Sequence, residues 1–374
     1  PKQLFRGKTK DVKEADAMMR DEAFWNQYRQ VSLTKSESRM ETFIHNLEQI
    51  KGFKYIIFGA KAFIENFVET GNPSKVDIGP INTMITSNSV DGLRTRVSAQ
   101  TTANLNKNWF LSGYYAHGWE SKKNYYKGEL TYSFNKKEYL PREFPKRTLS
   151  LMSTYDVASP SDKFMRTDKD NVFTAFKWTK VDAMMFYNKQ ELTFEREEDW
   201  GFKTTVAFKT EEDEAVGSLR FTPLNANSTL TTSQPHNLTT SHPGSFRTTE
   251  LRAELRFAPG ETYINTKQRR LKVNLDAPVF TLGHTMGFKG LLGGDYKYNY
   301  TEASIYKRFW MNSWGKVDIL VRGGIQWDKV PFPLLCMPAT NLSYIIQDQT
   351  FQLINNMEFL NDRFVSADVS WDFN

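Results

Sequence analysis

A single cysteine, Cys336, stands in 374 residues, which excludes an internal disulfide framework and any multi-cysteine zinc site. Long apolar runs are missing too. The most apolar stretch of the N-terminal quarter, Tyr55 to Val68, is broken by Lys61 and Glu65 and falls short of the roughly 18 to 20 apolar residues that a spanning helix needs. A helical membrane protein is therefore not expected. There is no long basic run either: 49 Lys and Arg against 43 Asp and Glu give a formal charge of +6 spread along the chain, so nucleic acid is not an expected partner.

Aromatic residues are abundant, at 14%, with 28 Phe, 16 Tyr and 9 Trp, although the mean hydropathy is −0.57. The combination suits a β-barrel in a membrane. There only every second residue of a strand faces lipid and its neighbours face a polar lumen, so the average hydropathy stays low.

Residues 1–72 have helical texture. Thr34 with Glu37 forms a capping-box pattern ahead of Met40, Phe43, Ile44, Leu47 and Ile50, the spacing of one amphipathic helix. The segment Tyr55 to Val68 reads as a second helix, stopped near Gly71-Asn72-Pro73. A charged stretch from Val12 to Gln30 carries Met18, Met19, Phe24, Trp25 and Tyr28 and reads as a third. This region is expected to be a periplasmic linker.

From residue 73 to 374 the period changes from 3.6 to 2. Leu93, Thr95, Val97 and Ala99 alternate with Arg94, Arg96, Ser98 and Gln100; Thr249, Leu251, Ala253, Leu255 and Phe257 alternate with Glu250, Arg252, Glu254 and Arg256. Similar segments run through Trp109 to Trp119, Tyr126 to Phe134, Leu149 to Tyr155, Val172 to Trp178, Gln190 to Phe194, Phe202 to Phe208, Val279 to Phe288, Tyr296 to Trp310, Val317 to Ile325 and Val365 to Phe373. They form a chain of consecutive hairpins. Residues Thr210 to Ser245, with the acidic cluster Glu211, Glu212, Asp213 and Glu214 and a Ser/Thr/Asn-rich tail, read as a long mobile surface loop. The fold class expected is all-β: an antiparallel transmembrane β-barrel of about a dozen strands here, incomplete at its C-terminal end and preceded by a short α-helical segment.

Alternation alone also fits a soluble β-sandwich. Three features favour the barrel: opposite charges in ladders, as in Glu250, Arg252, Glu254 and Arg256; aromatics near strand ends, among them Trp109, Trp119, Trp310 and Trp371; and short turns alternating with long polar loops. The charges expected to face the lumen are Arg94, Arg96, Glu250, Arg252, Glu254, Arg256 and Arg322. Inward arginines could set pore selectivity or hold a polypeptide or glycan carboxylate. The plainer expectation is that they pair with Glu250 and Glu254 inside the lumen.

Other chemistry-bearing patterns are better explained without a site. His45 with Glu48 and His117 with Glu120 have a spacing that can supply two zinc ligands, but one pair lies on an amphipathic helix and the other at a strand end. His284 lies within a strand and reads as a lumen or packing residue. Cys336 lies in the apolar, proline-rich Pro331 to Pro338 and reads as a small hydrophobe. Gly290-Leu291-Leu292-Gly293-Gly294-Asp295 lacks the Lys-Ser/Thr of a phosphate loop and reads as a turn. The acidic cluster lacks the spacing of a dedicated calcium loop and reads as solvated. No cofactor or metal is expected.

The segments from Asp77 to Trp119, Thr131 to Lys137, Gly217 to Phe221, Glu254 to Glu261, Gly287 to Tyr296 and Lys307 to Gly315 resemble, in order, an uncharacterised Bacteroidetes family. Its members carry a carboxypeptidase-regulatory-like β-sandwich ahead of an outer-membrane barrel that is itself a domain of unknown function. The resemblance implies a β-sandwich upstream and further strands downstream, and no peptidase activity, since the regulatory-like module is non-catalytic. The barrel is broadly similar to the surface-antigen class that includes assembly and translocation factors. The chain is thus expected in the outer membrane of a Gram-negative bacterium, in contact with lipid and lipopolysaccharide and with periplasmic or surface envelope proteins. Its expected role is non-enzymatic, in transport, secretion or envelope assembly. A surface receptor or adhesin acting through long external loops is the alternative, and a β-rich hydrolase a further one.

Overall fold

In the computed structural model, residues 52–165, 167–221 and 244–373 are described, and the chain divides into two units, Pro1–Lys61 and Ala62–Asn374. Helix α1 (Phe53–Glu65) covers most of the second helix expected from the sequence. It starts after Gly52, which takes a φ of 95°, and Tyr55 N–H donates to the Gly52 carbonyl at 3.0 Å. The helices expected over Val12 to Gln30 and after Thr34 lie outside the described residues. No described helix is long and apolar enough to cross a membrane.

The second unit is built on one antiparallel sheet. In chain order its strands are β1 (Val68–Glu69), β2 (Val76–Ile78), β3 (Ile85–Asn88), β4 (Gly92–Thr101), β5 (Trp109–Gly118), β6 (Asn124–Ser133), β7 (Arg147–Ala158), β8 (Ala183–Glu197), β9 (Phe202–Gly217) and β10 (Ser245–Phe257). A separate hairpin, β11 (Tyr263–Asn265) with β12 (Arg270–Lys272), follows; β13 (Val279–Gly287), β14 (Tyr298–Trp310), β15 (Lys316–Gln326) and β16 (Arg363–Asp372) complete the sheet. From β4 onward each long strand pairs with the next, and β13 takes its place beside β10 after the hairpin. Fourteen strands share the sheet, with β3 paired to one end of β4. Among the described residues no pairing joins β16 back to β1, so the sheet is not closed.

Alternation sorts the side chains of each strand onto two faces. Side chains from every long strand between β4 and β15 line one cavity of about 780 Å³, which requires the sheet to curl around it. Its concave face carries Arg96, Lys127, Lys209, Arg252 and Glu302, among others. The convex face carries Leu93, Leu111, Leu151, Leu192, Leu282 and Ile305, all exposed. This distribution is the reverse of that of a water-soluble sandwich, whose apolar faces meet inside.

The connections at the two ends of the strands differ. At one end lie the turns 102–108, 198–201 and 311–315 together with the longer 134–146 and 258–278; at the other lie the long connections 159–182, 218–244 and 327–362. These long connections are not merely polar. Phe164, Leu219, Phe221, Phe332, Met337 and Met357 turn inward and pack with Met185 and Phe246 of the sheet into an apolar cap. At the opposite end the β11–β12 hairpin reaches across to the first strands: Gln268 Nε2 donates to Asp77 Oδ2 at 2.6 Å, Gln100 Nε2 donates to Gln268 Oε1 at 3.0 Å, and Lys267 pairs with Glu69 at 2.9 Å.

Two sequence expectations are corrected. Val172 to Trp178, read as a strand, contains the single-turn helix α2 (Val172–Ala175), capped by the Asn171 side chain, which accepts from Phe173 N–H. Its alternating residues lie in the 159–182 connection, where the Asn171 cap closes a helical turn and Phe176 and Trp178 stay exposed. Thr210 to Ser245 is not one loop, because β9 continues to Gly217 and pairs with β10 through Ser245 opposite Glu214. Glu211 and Asp213 are buried on the concave face, whereas Glu212 pairs with Arg247. Residues 222–243 of that stretch lie outside the described residues.

The cap is where a core deletion should be felt. Phe332 is 2% exposed and its ring lies 5.9 Å from that of Phe221, so Phe332→Ala should destabilise the cap by about 3–5 kcal/mol. Amide exchange over 327–362 should rise accordingly while exchange in the strands is unchanged; uniform protection in the variant would show that the cap is not held by this ring.

Candidate functional site

The seven charges expected to face inward come from β4, β10 and β15 and fall into three separate groups; Arg96, Glu250, Arg252 and Arg322 line the central cavity. The first is a buried cluster where β4 meets the 159–182 connection. Arg94 is fully buried: its Nη1 donates to Asp91 at 3.2 Å, and its Nη2 and Nε pair with Asp156 at 2.8 Å and Asp170 at 3.2 Å. The Tyr125 ring lies under the guanidinium, 4.5 Å from its carbon, and Tyr125 O–H donates to Asp91 Oδ1 at 2.5 Å. Arg96 donates to Asp168 at 3.2 Å and Asp170 at 3.0 Å over the ring of Tyr114. Asp168 and Asp170 sit on the loop, Arg94 and Arg96 on the wall. The loop is latched inward by ion pairs.

The second group is the ladder along β10. Glu250 accepts from Lys209 at 2.8 Å and from the Tyr298 hydroxyl, so its cation comes from β9 and not from an arginine as expected. Arg252 reaches Glu254 at 2.8 Å and also Glu302 of β14. Arg256 pairs with Glu261 at 2.7 Å, just before the crossing hairpin. Lys163, from the 159–182 connection, pairs with Glu211 at 2.9 Å and Asp213 at 3.3 Å. Charges such as Glu211 and Asp213 that are buried on the concave face need close partners because they are withdrawn from bulk water. Each carboxylate in this group sits within salt-bridge reach of a cation.

Arg322 stands apart as the third. Among the described residues no carboxylate lies within salt-bridge distance of it; its Nη2 donates only to the Gln349 carbonyl at 3.4 Å, and its buried Nε has no hydrogen-bond partner.

The remaining sequence patterns form no site. His117 Nδ1 is 2.7 Å from Asn124 Oδ1 and its ring meets Trp119 edge-on. His284 Nδ1 is 2.9 Å from the Thr301 hydroxyl. Gly290 to Asp295 is the turn between β13 and β14, with Gly290 at a φ of 85°. Cys336 is buried, which pushes its thiol pKa up. No group of three metal-ligating side chains occurs among the described residues. His45 and Glu48 lie outside them. The sequence reading did not name Asp91, Asp156, Asp168, Asp170, Lys209 or Glu302. Lys209, Glu211 and Asp213 could have been found by carrying the alternation of Val206 and Phe208 onward; the two loop aspartates carry no local signal.

The fold and the site define an all-β protein whose single curled antiparallel sheet turns its charges inward and its apolar residues outward. The chain belongs to a family of unknown function, DUF5686, whose C-terminal domain matches residues 61–374. No curated protein matches it.

The latch has a defined acid response. Burial pushes the Asp170 carboxyl up, but Lys169, Arg94 and Arg96 outweigh it and hold its pKa at about 2. A carboxyl lowered from about 4 in the unfolded chain stabilises the loop fully above pH 4, and the contribution fades as pH falls toward 2. Asp170→Asn should remove it at neutral pH, at a cost of about 3–5 kcal/mol. Proteolysis of 159–182 should therefore be fast in the variant at pH 7 and slow in the parent chain; equal rates would count against the latch.

Proposed function

We propose that this chain is the membrane-spanning part of a non-enzymatic outer-membrane β-barrel protein of a Gram-negative bacterium, acting in transport, secretion or envelope assembly. One observation carries the reading: the convex face exposes large apolar side chains strand after strand while the concave face holds the charges. In water that arrangement is unfavourable, since contiguous exposed apolar surface of this extent marks a contact with protein or lipid. In a bilayer it is the arrangement required.

Two further features support it. The long strands run from 9 to 16 residues, enough for the roughly 9 to 11 residues of a tilted spanning strand. Exposed tryptophans cluster at the strand ends, with Trp109, Trp200, Trp310 and Trp371 at the short-turn end and Trp119 and Trp327 at the other, as interfacial girdles do. The cavity is capped at one end and crossed by a hairpin at the other, which suits a carrier that rearranges to pass cargo better than a permanently open pore. Lipid and lipopolysaccharide would contact the convex face, and envelope proteins the loops.

The full-length protein should co-sediment with outer membranes and migrate faster on gels when unheated than when boiled. Leu151→Arg, on the convex face, should weaken folding into bilayers by about 2–4 kcal/mol. Recovery of the protein from the soluble periplasm would contradict the proposal.

A further inference from the structure

Among the described residues, every lysine or arginine lining the central cavity has a carboxylate partner except Arg322. Lys127 pairs with Glu129 at 3.1 Å, Lys189 with Glu191 at 3.6 Å, and Lys169 with Asp156 at 3.1 Å; Arg96, Lys163, Lys209 and Arg252 are paired as described above. Arg322 is flanked in register by Ser304 on β14 and Ser366 on β16, so three adjacent strands present a hydroxyl, a guanidinium and a hydroxyl in one row. Both serines face a second cavity, of about 470 Å³, that Arg322 also lines. The carboxylate that lines this cavity, Glu302, is held by Arg252 and accepts from the Tyr300 hydroxyl.

Arg322 Nε is buried without a hydrogen-bond partner among the described residues; Gln326 Nε2, four residues along β15 on the central cavity, and Gln349 Oε1 are orphaned in the same way but do not line this second cavity. A buried polar group normally finds one, and leaving a guanidinium N–H unpaired costs more than leaving a neutral one. Apart from Thr281, Tyr300, Glu302 and Asn361, the rest of the second cavity is apolar. Met337, Phe351, Ile354, Phe359 and Phe364 line it, and Phe351 and Phe359 remain 43% and 48% exposed, more than closed core packing leaves. Its volume falls within the roughly 300–1,000 Å³ typical of small-molecule sites.

We infer that this cavity binds a single-chain amphiphile with a carboxylate head: the head on Arg322, Ser304 and Ser366, the chain along the apolar wall. A carboxylate offers two coplanar oxygens to a guanidinium edge; Arg322 gives Nη2 to the Gln349 carbonyl and its Nε is buried, so Nη1 is the nitrogen left open to a ligand. A glycan carboxylate, considered above for inward arginines, does not suit a wall of methionine, isoleucine and phenylalanine. The inference goes beyond the proposed membrane role and does not depend on it, because the site is built by β14–β16 and the 327–362 connection wherever the protein resides.

The test uses the refolded full chain in mild detergent, with native mass spectrometry at pH 7.5 and dodecanoate, dodecanol, dodecyltrimethylammonium and dodecyl phosphate as separate probes. The expected result is one dodecanoate per chain, with weaker retention of the other three. Arg322→Gln should lower dodecanoate affinity by about tenfold to a hundredfold, the loss of a charge-assisted contact, with an unchanged near-ultraviolet circular dichroism spectrum. Equal retention of dodecanol, equal binding by the folded R322Q chain, or tighter binding of dodecyl phosphate would overturn the assignment. Should R322Q not fold, the head-group comparison on the parent chain decides. The outcome is separate from the sedimentation test of the membrane role.

Discussion

Charge placed on the inside of a curled sheet has to be neutralised there, and much of this structure follows from that requirement. Arg94 shows it most fully, with three aspartates and a tyrosine ring around one guanidinium at zero exposure. Removing a partner from such a group leaves an uncompensated buried charge. The requirement therefore ties distant segments together: Asp91 comes from the β3–β4 turn, Asp156 from the end of β7 and Asp170 from the loop beyond it. The loop folds inward because its carboxylates are needed on the wall.

The same logic runs along β9, β10 and β14. Lys209, Glu250, Arg252 and Glu302 couple neighbouring strands by side-chain pairs in addition to the backbone ladder. Where the charges end, apolar packing takes over. The cap around Phe246 and Phe332 covers one end of the cavity, and the β11–β12 hairpin spans the other through Gln268 and Asp77. Arg322 is the exception that draws notice, since its two in-register neighbours are serines.

Much of the sheet was legible in the sequence, because a period of two is a local property. The strands at Leu93 to Thr101, Thr249 to Phe257 and Val365 to Phe373 fall where alternation placed them. Val172 to Trp178 misled because four alternating residues fit a strand and a helical turn equally well, and the Asn171 cap decides for the turn. Glu211 to Glu214 misled for the opposite reason. Four acids in a row suggest solvent, yet alternation sends Glu211 and Asp213 inward, where Lys163 and Lys209 meet them. The site was half legible. Arg94, Arg96 and Arg322 follow from parity, but their partners, or the lack of them, depend on loops that return from far along the chain.

Strand β7 can show whether the apolar convex face meets lipid while the concave face opens to water. With Cys336 replaced by serine, nitroxide labels would be placed singly from Leu149 to Thr154 in the bilayer-reconstituted chain. Labels at Leu149, Leu151 and Ser153 should collide with oxygen dissolved in lipid, and those at Ser150, Met152 and Thr154 with a water-soluble relaxation agent, giving a strict period of two. Water accessibility at all six positions would contradict it.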